Sequence, residues 1–377
     1  MILTWLLAFV CVWVCLADEK GGKMDIGKLD KNMAVEAANT DGIQWFDPKQ
    51  PPFRLKGFAW FEQNGEYRRL PHLEEIPPSV NSLANHTTGG TIAFKTDSRK
   101  IQLEVQLLNE KLVMWNMAPL GHSGFDLYEG GPGAWKIKGV SRVFQPCSEI
   151  VTLWGERKMR EFLLNFPMYN GVKSVRIGLE EGAKVEPPTP YATEKRLVIY
   201  GGSVVQGASA SRPGRGFMNI IGRHFNMEVI NLGFSGSSRF EPIMAELTAA
   251  VDNPAVVIVE GDRNAGLERV RDLEPDFVAT IRRRHPGVPI VVMQGNPQWG
   301  SDKKRLAIME EQQKFIAKMK PNDPDLYWWD CTHFLGDDDY AECHIDGSHP
   351  NDLGSTRMAE AMIKLLTPLF EKYEVFK

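Results

Sequence analysis

The stretch RLVIYGGS, residues 196–203, is a short apolar run that stops at two glycines and a serine. Further apolar runs of strand length follow it: residues 228–231, 255–259 and 288–293. Stretches of helical composition lie between them: residues 216–226, 268–284 and 304–319. Near-continuous apolar strands that alternate with helices are typical of a parallel sheet covered on both faces. The sequence therefore predicts a three-layer α/β/α domain over residues 195–377, closed by a last helix at 352–372.

The residues before this domain have a different pattern. From 36 to 186, short alternating or β-branched runs are separated by Gly, Pro and Asn, and IQLEVQL at 101–107 alternates strictly between apolar and polar residues. Many short strands with turn signals between them favour an N-terminal β-sandwich, or jelly roll, over residues 36–186. The following EPPTP can continue neither a strand nor a helix, which indicates a linker at 187–194.

The first residues, MILTWLLAFVCVWVCLA, carry no charge. The run is shorter than the roughly 20 residues that a helix needs to span a bilayer, and small residues precede a possible cleavage point after Ala17. We interpret residues 1–17 as a signal peptide without a basic n-region, and residues 18–35 as a polar leader. Export would make the protein secreted or periplasmic, and an uncleaved N-terminal anchor is the alternative. No later segment is apolar for long enough to span a membrane.

Composition narrows the function classes. The chain of 377 residues has 43% hydrophobic and 24% charged residues and a formal net charge of −4, which suits a globular protein and gives no basic stripe for nucleic acid. Cys331 and Cys343 could pair in an exported protein, but spacing alone does not fix a disulfide. Cys343 and its neighbours have metal-ligand chemistry, yet no close-spaced Cys or His pair recurs elsewhere, so we predict no metal and no cofactor.

Small polar residues follow the predicted strands, where ligands bind in a doubly wound sheet. Ser203, Gly236 and Asn264 follow the first three strands, and Asp346 and His349 precede the last helix. A serine hydroxyl needs a base, which His349 can supply while Asp346 orients its ring. The backbone N–H groups of Ser203 and Gly236 and the side-chain amide of Asn264 are candidate donors to an oxyanion, with Gly236 allowing close main-chain approach.

Each of these residues also has a plainer interpretation. Gly236 could be a structural turn, and Asn264 could cap a helix that begins near Leu267. Without its partner segments, Ser203 would be an ordinary turn residue. The agreement of the four segments favours the catalytic interpretation.

These motifs resemble the SGNH/GDSL hydrolase superfamily, whose named residues Ser, Gly, Asn and His match Ser203, Gly236, Asn264 and His349 in order. The stretch Gly124-Phe-Asp-Leu-Tyr128 resembles the Gly-x-Asp-Leu-Tyr motif of a subgroup with a β-rich N-terminal domain. The sequence departs from the superfamily pattern at Gly202, where Asp is usual, and after Asn264.

The resemblance implies a flavodoxin-like hydrolase domain that cleaves esters through an acyl-enzyme without a cofactor. It further implies a carbohydrate esterase that removes acetyl groups from a polysaccharide. Two alternatives stay open: a lipase or thioesterase acting on small or lipid esters, and a non-catalytic glycan-binding protein on a hydrolase fold.

Several other residues have two possible roles. Asp126 and Tyr128 could shape the rim of the site or pack between the domains. Arg212 and Arg215 could pair with acidic residues of a neighbouring loop, touch substrate or lie on the surface. Trp299 could stack on a sugar or pack against the core.

Overall fold

The computed structural model describes residues 38–145, 147–153, 155–294 and 303–377. The predicted signal peptide (1–17), the predicted polar leader (18–35) and Trp299 lie outside these residues. Among the helices of the described part, none is long and apolar enough to cross a membrane.

The described residues from 43 to 186 are mainly β-structure. Their strands are β1 (Ile43–Phe46), β2 (Arg54–Lys56), β3 (Thr91–Thr96), β4 (Lys100–Leu107), β5 (Asp126–Glu129), β6 (Lys136–Val140), β7 (Cys147–Thr152), β8 (Arg160–Asn165), β9 (Val172–Glu180) and β10 (Val185–Glu186). Three short helices interrupt them: α1 (Phe61–Asn64), α2 (Pro78–Leu83) and α3 (Pro119–Ser123).

These strands form two antiparallel sheets. One has the order β1-β9-β4-β7, and the other has the order β10-β3-β8-β5-β6 with β2 also paired to β3. Ile101 and Ile177 from the first sheet share one core with Phe94 and Phe162 from the second. Alternate residues of each strand therefore point into a common interior, which is the predicted sandwich arrangement.

The remaining strands form one parallel sheet. They are β11 (Arg196–Gly201), β12 (Val229–Gly233), β13 (Pro254–Val259), β14 (Ile290–Met293) and β15 (Leu326–Trp329). Their order is β12-β11-β13-β14-β15, and each neighbouring pair is parallel. This is the order of a flavodoxin-like fold, as the resemblance implies.

Helices cover both faces of this sheet. They are α4 (Ser203–Gln206), α5 (Phe217–Phe225), α6 (Pro242–Ala249), α7 (Asp262–Asp272), α8 (Glu274–Arg284), α9 (Lys303–Met319) and α10 (Asp352–Lys372). Val198 and Tyr200 point to the face that packs against α6–α9, which we call the α8 face. Leu197 and Ile199 point to the opposite face, which packs against α5 and α10 and which we call the α10 face. The alternation follows from the two-residue period of a strand.

Hydrogen bonds and an ion pair connect the β-rich part to the hydrolase part. The fully buried guanidinium of Arg69 donates to the carbonyls of Asn231 (3.0 Å) and Gly233 (2.7 Å) at the end of β12. Asp126 of the Gly-x-Asp-Leu-Tyr motif accepts from Arg212 Nη1 at 2.7 Å, and the hydroxyl of Tyr128 lies 2.7 Å from the same nitrogen. The motif therefore joins the two parts.

Two cysteines that could have paired are separate thiols. Cys331 and Cys343 are both free and buried. Arg357 donates to the sulfur of Cys343 at 3.3 Å, and the Cys343 thiol donates to the carbonyl of Leu335 at 3.5 Å. The thiol of Cys331 instead faces the carbonyl of Trp329 at 3.7 Å. The disulfide that the sequence left open is not present.

Candidate active site

Ser203 lies directly beyond the carboxyl end of β11, which is flanked by β12 and β13. Gly202 separates strand from helix, and Ser203 is the first residue of α4. A Cβ at Gly202 would lie 2.6 Å from Asn264 Oδ1, too close for any other residue without movement. With the Asn264 side chain in this position, a residue other than glycine at 202 would require that side chain to move.

Ser203, His349 and Asp346 form a connected chain of hydrogen bonds. Ser203 Oγ lies 2.9 Å from His349 Nε2, and His349 Nδ1 lies 2.7 Å from Asp346 Oδ2. The other carboxylate oxygen of Asp346 accepts the backbone N–H groups of Ser348 (2.9 Å) and His349 (2.8 Å). The sequence-predicted trio thus meets in space, although Ser203 and His349 are 146 residues apart.

Local geometry fixes the loop that carries the acid and the base. Gly347 adopts φ +76°, which suits glycine, and this lets the chain turn between Asp346 and His349. Asn351 then caps α10, because its side chain accepts from the N–H groups of Leu353 and Gly354. His349 is therefore held two residues before Asn351, the cap of α10.

The charge of Asp346 is stabilised by its donors. Burial raises the pKa of this carboxyl, but hydrogen bonds from the Asn116 side chain, from the His349 ring and from the backbone of His349 and Ser348 outweigh it. The net pKa lies below the ordinary value of an aspartate. Asp346 therefore stays ionised throughout the pH range in which a histidine base is useful.

Gly236 lies in the loop after β12, with φ +69°. A Cβ there would meet nothing within 4 Å, so close packing of the main chain does not explain the glycine. Its backbone conformation does, because L-residues with a side chain rarely adopt this φ. Within the described residues nothing crowds the position, and the close approach of an oxyanion to this main chain stays a prediction.

Asn264 lies in the first turn of α7, which is kinked at Gly266 (φ +76°), so that a second helical stretch begins near Leu267. Among the described residues, the Asn264 side chain accepts from Ser238 and not from the N–H groups of that stretch. The cap position is Gly261, which makes no side-chain cap bond. Ser238 donates its hydroxyl to Asn264 Oδ1 at 2.9 Å. In this orientation Ser238 engages Oδ1 of the amide, and Nδ2 has no hydrogen-bond partner among the described residues. A free donor beside Ser203 is what a developing oxyanion requires.

Glu260 supports the turn before Ser203 from below. This carboxyl is buried, and its Oε2 accepts the N–H of Gly202 at 2.9 Å. Burial, followed by the nearby charge of Asp262, raises the pKa of Glu260 to about 7. Neither Glu260 nor Ser238 was singled out in the sequence. Their positions at the end of β13 and two residues after Gly236 were the available signals.

The β-rich part reaches the site through two side chains. Asn116 Nδ2 donates to Asp346 Oδ2 at 2.8 Å and lies 3.5 Å from His349 Nδ1. The hydroxyl of Tyr169 donates to the backbone carbonyl of Ser203 at 3.1 Å. Sequence reasoning missed both, because a residue 230 positions from Asp346 carries no local pattern that marks it.

The remaining sequence candidates have structural partners. Arg212 is bound by Asp126 and Tyr128, and Arg215 pairs with Asp352 at 3.5 Å. Of the alternatives for the two arginines, pairing with acidic residues is the one present here. Across the described ranges, no group of three or more His, Cys, Asp or Glu side chains is placed to hold a metal ion.

A connected serine, histidine and aspartate beside free oxyanion donors can perform acyl transfer. Comparison with known proteins agrees. Residues 194–367 match the GDSL-like lipase/acylhydrolase family, and residues 43–185 match the N-terminus of SGNH-hydrolase-type esterases. A crystal structure from Bacteroides ovatus, described as a GDSL-like lipase, is 30% identical, covers 88% of this chain and 98% of its own, and has a TM-score of 0.75.

The chain belongs to the SGNH/GDSL hydrolase family. The resemblance predicted from its motifs, including the β-rich N-terminal subgroup, is confirmed, and this SGNH hydrolase is a carboxylic ester hydrolase. Its membership sets aside the non-catalytic alternative.

More distant structures share the fold of this SGNH hydrolase. A salicylyl-acyltransferase from a tetracycline biosynthetic pathway is 19% identical over 88% of this chain and 98% of its own, with a TM-score of 0.72. An acetyl xylan esterase from Butyrivibrio proteoclasticus is 12% identical over 89% of this chain and 100% of its own, with a TM-score of 0.57. No curated protein sequence matches the chain.

Proposed function

We propose that this SGNH hydrolase removes acetyl groups from an exported or extracellular polysaccharide, through an acyl-enzyme formed on Ser203. The observation that carries the chemistry is the connected chain from Ser203 Oγ to His349 (2.9 Å) and from His349 to Asp346 (2.7 Å). Both distances allow proton transfer along hydrogen bonds.

In the first half of the reaction, Ser203 Oγ attacks the ester carbonyl carbon while His349 Nε2 takes the hydroxyl proton. The carbonyl oxygen becomes an oxyanion, which accepts from the N–H groups of Ser203 and Gly236 and from Asn264 Nδ2. His349 then donates its proton to the leaving alcohol oxygen, and the carbon–oxygen bond breaks.

In the second half, water takes the place of the alcohol. His349 removes its proton as it attacks the acyl carbon, and the same donors hold the second oxyanion. Collapse releases the carboxylic acid and returns the proton to Ser203. Asp346 accepts from His349 Nδ1 throughout, which keeps Nε2 available as a base and stabilises the imidazolium.

Three observations support the carbohydrate substrate and the location. Several proteins with this fold are named as carbohydrate esterases, among them the acetyl xylan esterase and a family two carbohydrate esterase from Cellvibrio japonicus. The first 17 residues have the composition of a signal peptide, which would place the enzyme outside the cytoplasm or in the periplasm. The solvent-exposed Trp115 lies on the same side of the protein as the Asp346 and His349 loop.

The test is acetate release from acetylated xylan, mannan and other acetylated glycans, beside p-nitrophenyl esters of increasing chain length. We expect acetate from at least one glycan and a preference for acetyl over long acyl chains. Activity confined to long-chain esters would move the assignment to a lipase or thioesterase.

The control is Ser203→Ala. This variant should lose at least about 10³-fold in kcat and should no longer react with a fluorophosphonate probe, while its melting temperature stays near that of the native protein. Retained turnover or labelling at Ser203→Ala would remove the serine from the mechanism.

A further inference from the structure

A cleft lies beside the loop that carries Asp346 and His349, and the acyl-transfer steps described above assign it no role. We call it the Trp115 cleft, and its volume is about 680 Å³. One wall is the segment 113–118 of the β-rich part, and the other includes Ile345 and Leu353 of the hydrolase part. Its size is in the range of small-molecule sites.

The walls of the Trp115 cleft are largely apolar. Trp115 is 86% exposed, and Val113, Ile345 and Leu353 are exposed as well. A large aromatic ring presented to solvent at a cleft is suited to stacking on a flat apolar surface.

Two polar atoms in the same cleft are left without partners. Asn116 Oδ1 and Ser209 Oγ are buried and take part in no hydrogen bond with any residue that the structure describes. Asn116 is 8% exposed and Ser209 is 9% exposed. Buried polar atoms normally have a partner, so the pair marks a place where hydroxyl groups or water bind.

The backbone at Ser209 adds an independent sign of a built site. Ser209 adopts φ +77°, a conformation that non-glycine residues rarely take. Such strain persists where the surrounding structure holds a residue in place, and it concentrates at ligand sites. At this position the chain has a serine, where glycine would be less strained, and the serine places a hydroxyl at the cleft.

The position of the cleft tells which part of an ester it can reach. Ala265, next to the oxyanion donor Asn264, packs on the α8 face of the parallel sheet. Cys343, close to Asp346, packs on the α10 face, and Leu353 of the cleft belongs to α10 itself. The cleft therefore lies on the side of His349, which protonates the leaving alcohol, and away from the oxyanion donors.

We propose that the Trp115 cleft binds the alcohol part of the ester, and that its ligand is an uncharged ring with hydroxyl groups and a flat C–H face, as in a pyranose. Trp115 stacks on the ring, while Ser209 Oγ and Asn116 Oδ1 bind its hydroxyl groups. This proposal rests on the proposed acyl-enzyme at Ser203, and it assigns the alcohol side of that same site.

The test compares small esters that place a ring on one side or the other. Methyl acetate has no ring, cyclohexyl acetate and trans-1,2-cyclohexanediol monoacetate carry it on the alcohol, and methyl cyclohexanecarboxylate carries it on the acyl group. Trp115→Ala should lower kcat/KM about tenfold for the two ring alcohols and leave the methyl esters within about twofold. Trp115→Phe should restore most of the loss.

Ser209→Ala separates hydroxyl recognition from stacking. It should lower kcat/KM about fivefold for the diol monoacetate and leave cyclohexyl acetate unchanged, because only the diol offers a hydroxyl to Ser209 Oγ. Phe144→Ala is the matched control: this aromatic ring is 72% exposed but lines a different groove, so its removal should change none of the four rates.

Each outcome decides the proposal. If Trp115→Ala impairs methyl cyclohexanecarboxylate instead of the ring alcohols, the cleft is an acyl pocket and the proposal is wrong. Equal losses on all four esters, or no loss on any, would also overturn it. Failure of the acyl-enzyme itself looks different, because the native protein would then hydrolyse none of the four esters.

Asn116 supports a second proposal, which depends on its other amide atom. Its Nδ2 donates to Asp346 Oδ2, the same oxygen that accepts from His349 Nδ1. The donor comes from the segment before α3 and so holds the acid of the triad from the β-rich part. We infer that Asn116 is a positioning residue, which fixes the Asp346 carboxylate and shares its charge.

Removal of this donor changes the electrostatics of the loop in a defined direction. In Asn116→Ala, the whole charge of Asp346 is available to the imidazolium of His349, so the acid limb of the kcat/KM profile should move to higher pH. The other titratable groups that act on this loop are His344, whose pKa is lowered by burial, and Arg263, and neither is changed in this variant.

Methyl acetate is the substrate for this test, because its alcohol is too small to occupy the Trp115 cleft. Asn116→Ala should lower kcat about tenfold with little change in KM and shift the acid limb upward. Asn116→Asp, which sets a second carboxylate against Asp346, should shift it further, and Asn116→Ser should restore part of the rate. A lower melting temperature with an unchanged pH profile would show a purely structural role and overturn the inference.

Discussion

Replacing Asp126 with alanine should destabilise the protein strongly, although the residue does not touch the candidate catalytic groups. Its side chain is fully buried. One oxygen accepts from Arg212 Nη1 (2.7 Å) and from the N–H of Gly214 (2.8 Å), and the other accepts from Asn165 Nδ2 (2.8 Å). Asp126→Ala therefore leaves three donors without their acceptor, one of them charged.

The size of the loss follows from these contacts. Removing one partner of a buried ion pair costs about 3–5 kcal/mol, because the other charge stays buried and unpaired. In the variant, Arg212 keeps its contact with the hydroxyl of Tyr128 at 2.7 Å, and its side chain is 18% exposed. The cost of leaving Arg212 unpaired should therefore lie near the lower limit of that range. With the two neutral donors, we expect the free energy of unfolding to fall by about 4 kcal/mol.

Urea unfolding followed by tryptophan fluorescence measures this difference. Asp272→Ala is the matched control, since the Asp272 ion pair with Arg271 is on the surface and its loss should not move the midpoint. A double-mutant cycle between Asp126 and Arg212 should give a coupling of at least about 2 kcal/mol. A loss below about 1 kcal/mol in Asp126→Ala would refute the argument that the Gly-x-Asp-Leu-Tyr motif stabilises the junction.

Three further outcomes follow from the site. Ser238→Ala should lower kcat on methyl acetate about tenfold without changing KM, less than the roughly 10²-fold loss expected for Asn264→Ala, because it frees the orientation of the donor without removing it. Glu260 has a pKa raised from 4.5 to about 7, so its contribution to stability is complete below pH 4.5 and is lost as pH rises through 7. The native protein should therefore lose stability as the pH rises from 5 to 8, whereas Glu260→Gln, which has no proton to lose, should not. In urea titrations, the unfolding free energy of the variant minus that of the native protein should rise by about 3 kcal/mol over this range, and a pH-independent difference would contradict the assignment. A thiol reductant should leave the melting temperature unchanged because Cys331 and Cys343 are free, and a fall of several degrees would indicate a disulfide.

The parallel sheet was predictable because its strands are short apolar runs that end at glycine or small polar residues. The predicted run at 196–200 corresponds to β11, and the run at 255–259 corresponds to β13. The last strand, β15, was missed because its sequence LYWW has aromatic character without the β-branched run that marked the others. The helical stretch 268–284 proved to be two helices, since Pro275 suits the first turn of a new helix better than the interior of a long one.

The positions of the candidate catalytic residues were predictable for a related reason. Each of Ser203, Gly236 and Asn264 follows a strand of one parallel sheet, so the topology alone brings them to one edge. The sequence pattern could not predict the contacts that hold these residues in place. Ser238 and Glu260 act through side-chain orientation, and nothing in a serine two residues after Gly236 distinguishes a donor to Asn264 from an ordinary loop residue.

The β-rich part is the larger gap between sequence and structure. The sequence predicts a sandwich at 36–186 and a linker at 187–194, but it does not predict that Leu70, Ile76 and Val80 belong to the hydrophobic cluster on the α8 face of the parallel sheet. On the other face, Asn116 reaches the carboxylate of Asp346. Burial of apolar surface on one side and a charged hydrogen bond on the other both depend on the same junction.

Hydrogen bonds connect the Gly-x-Asp-Leu-Tyr motif to the start of α10. Asp126 holds the loop from Arg212 to Gly214, and the preceding Ser211 donates its N–H (2.8 Å) and its hydroxyl (2.7 Å) to Asp352, the first residue of α10. The loop that carries His349 ends at the start of that helix. A buried carboxylate in the β-rich part is thus connected, through one loop and one helix terminus, to the loop that carries His349. Substitutions of Asp126 should therefore lower the rate of ester hydrolysis as well as the stability of the protein.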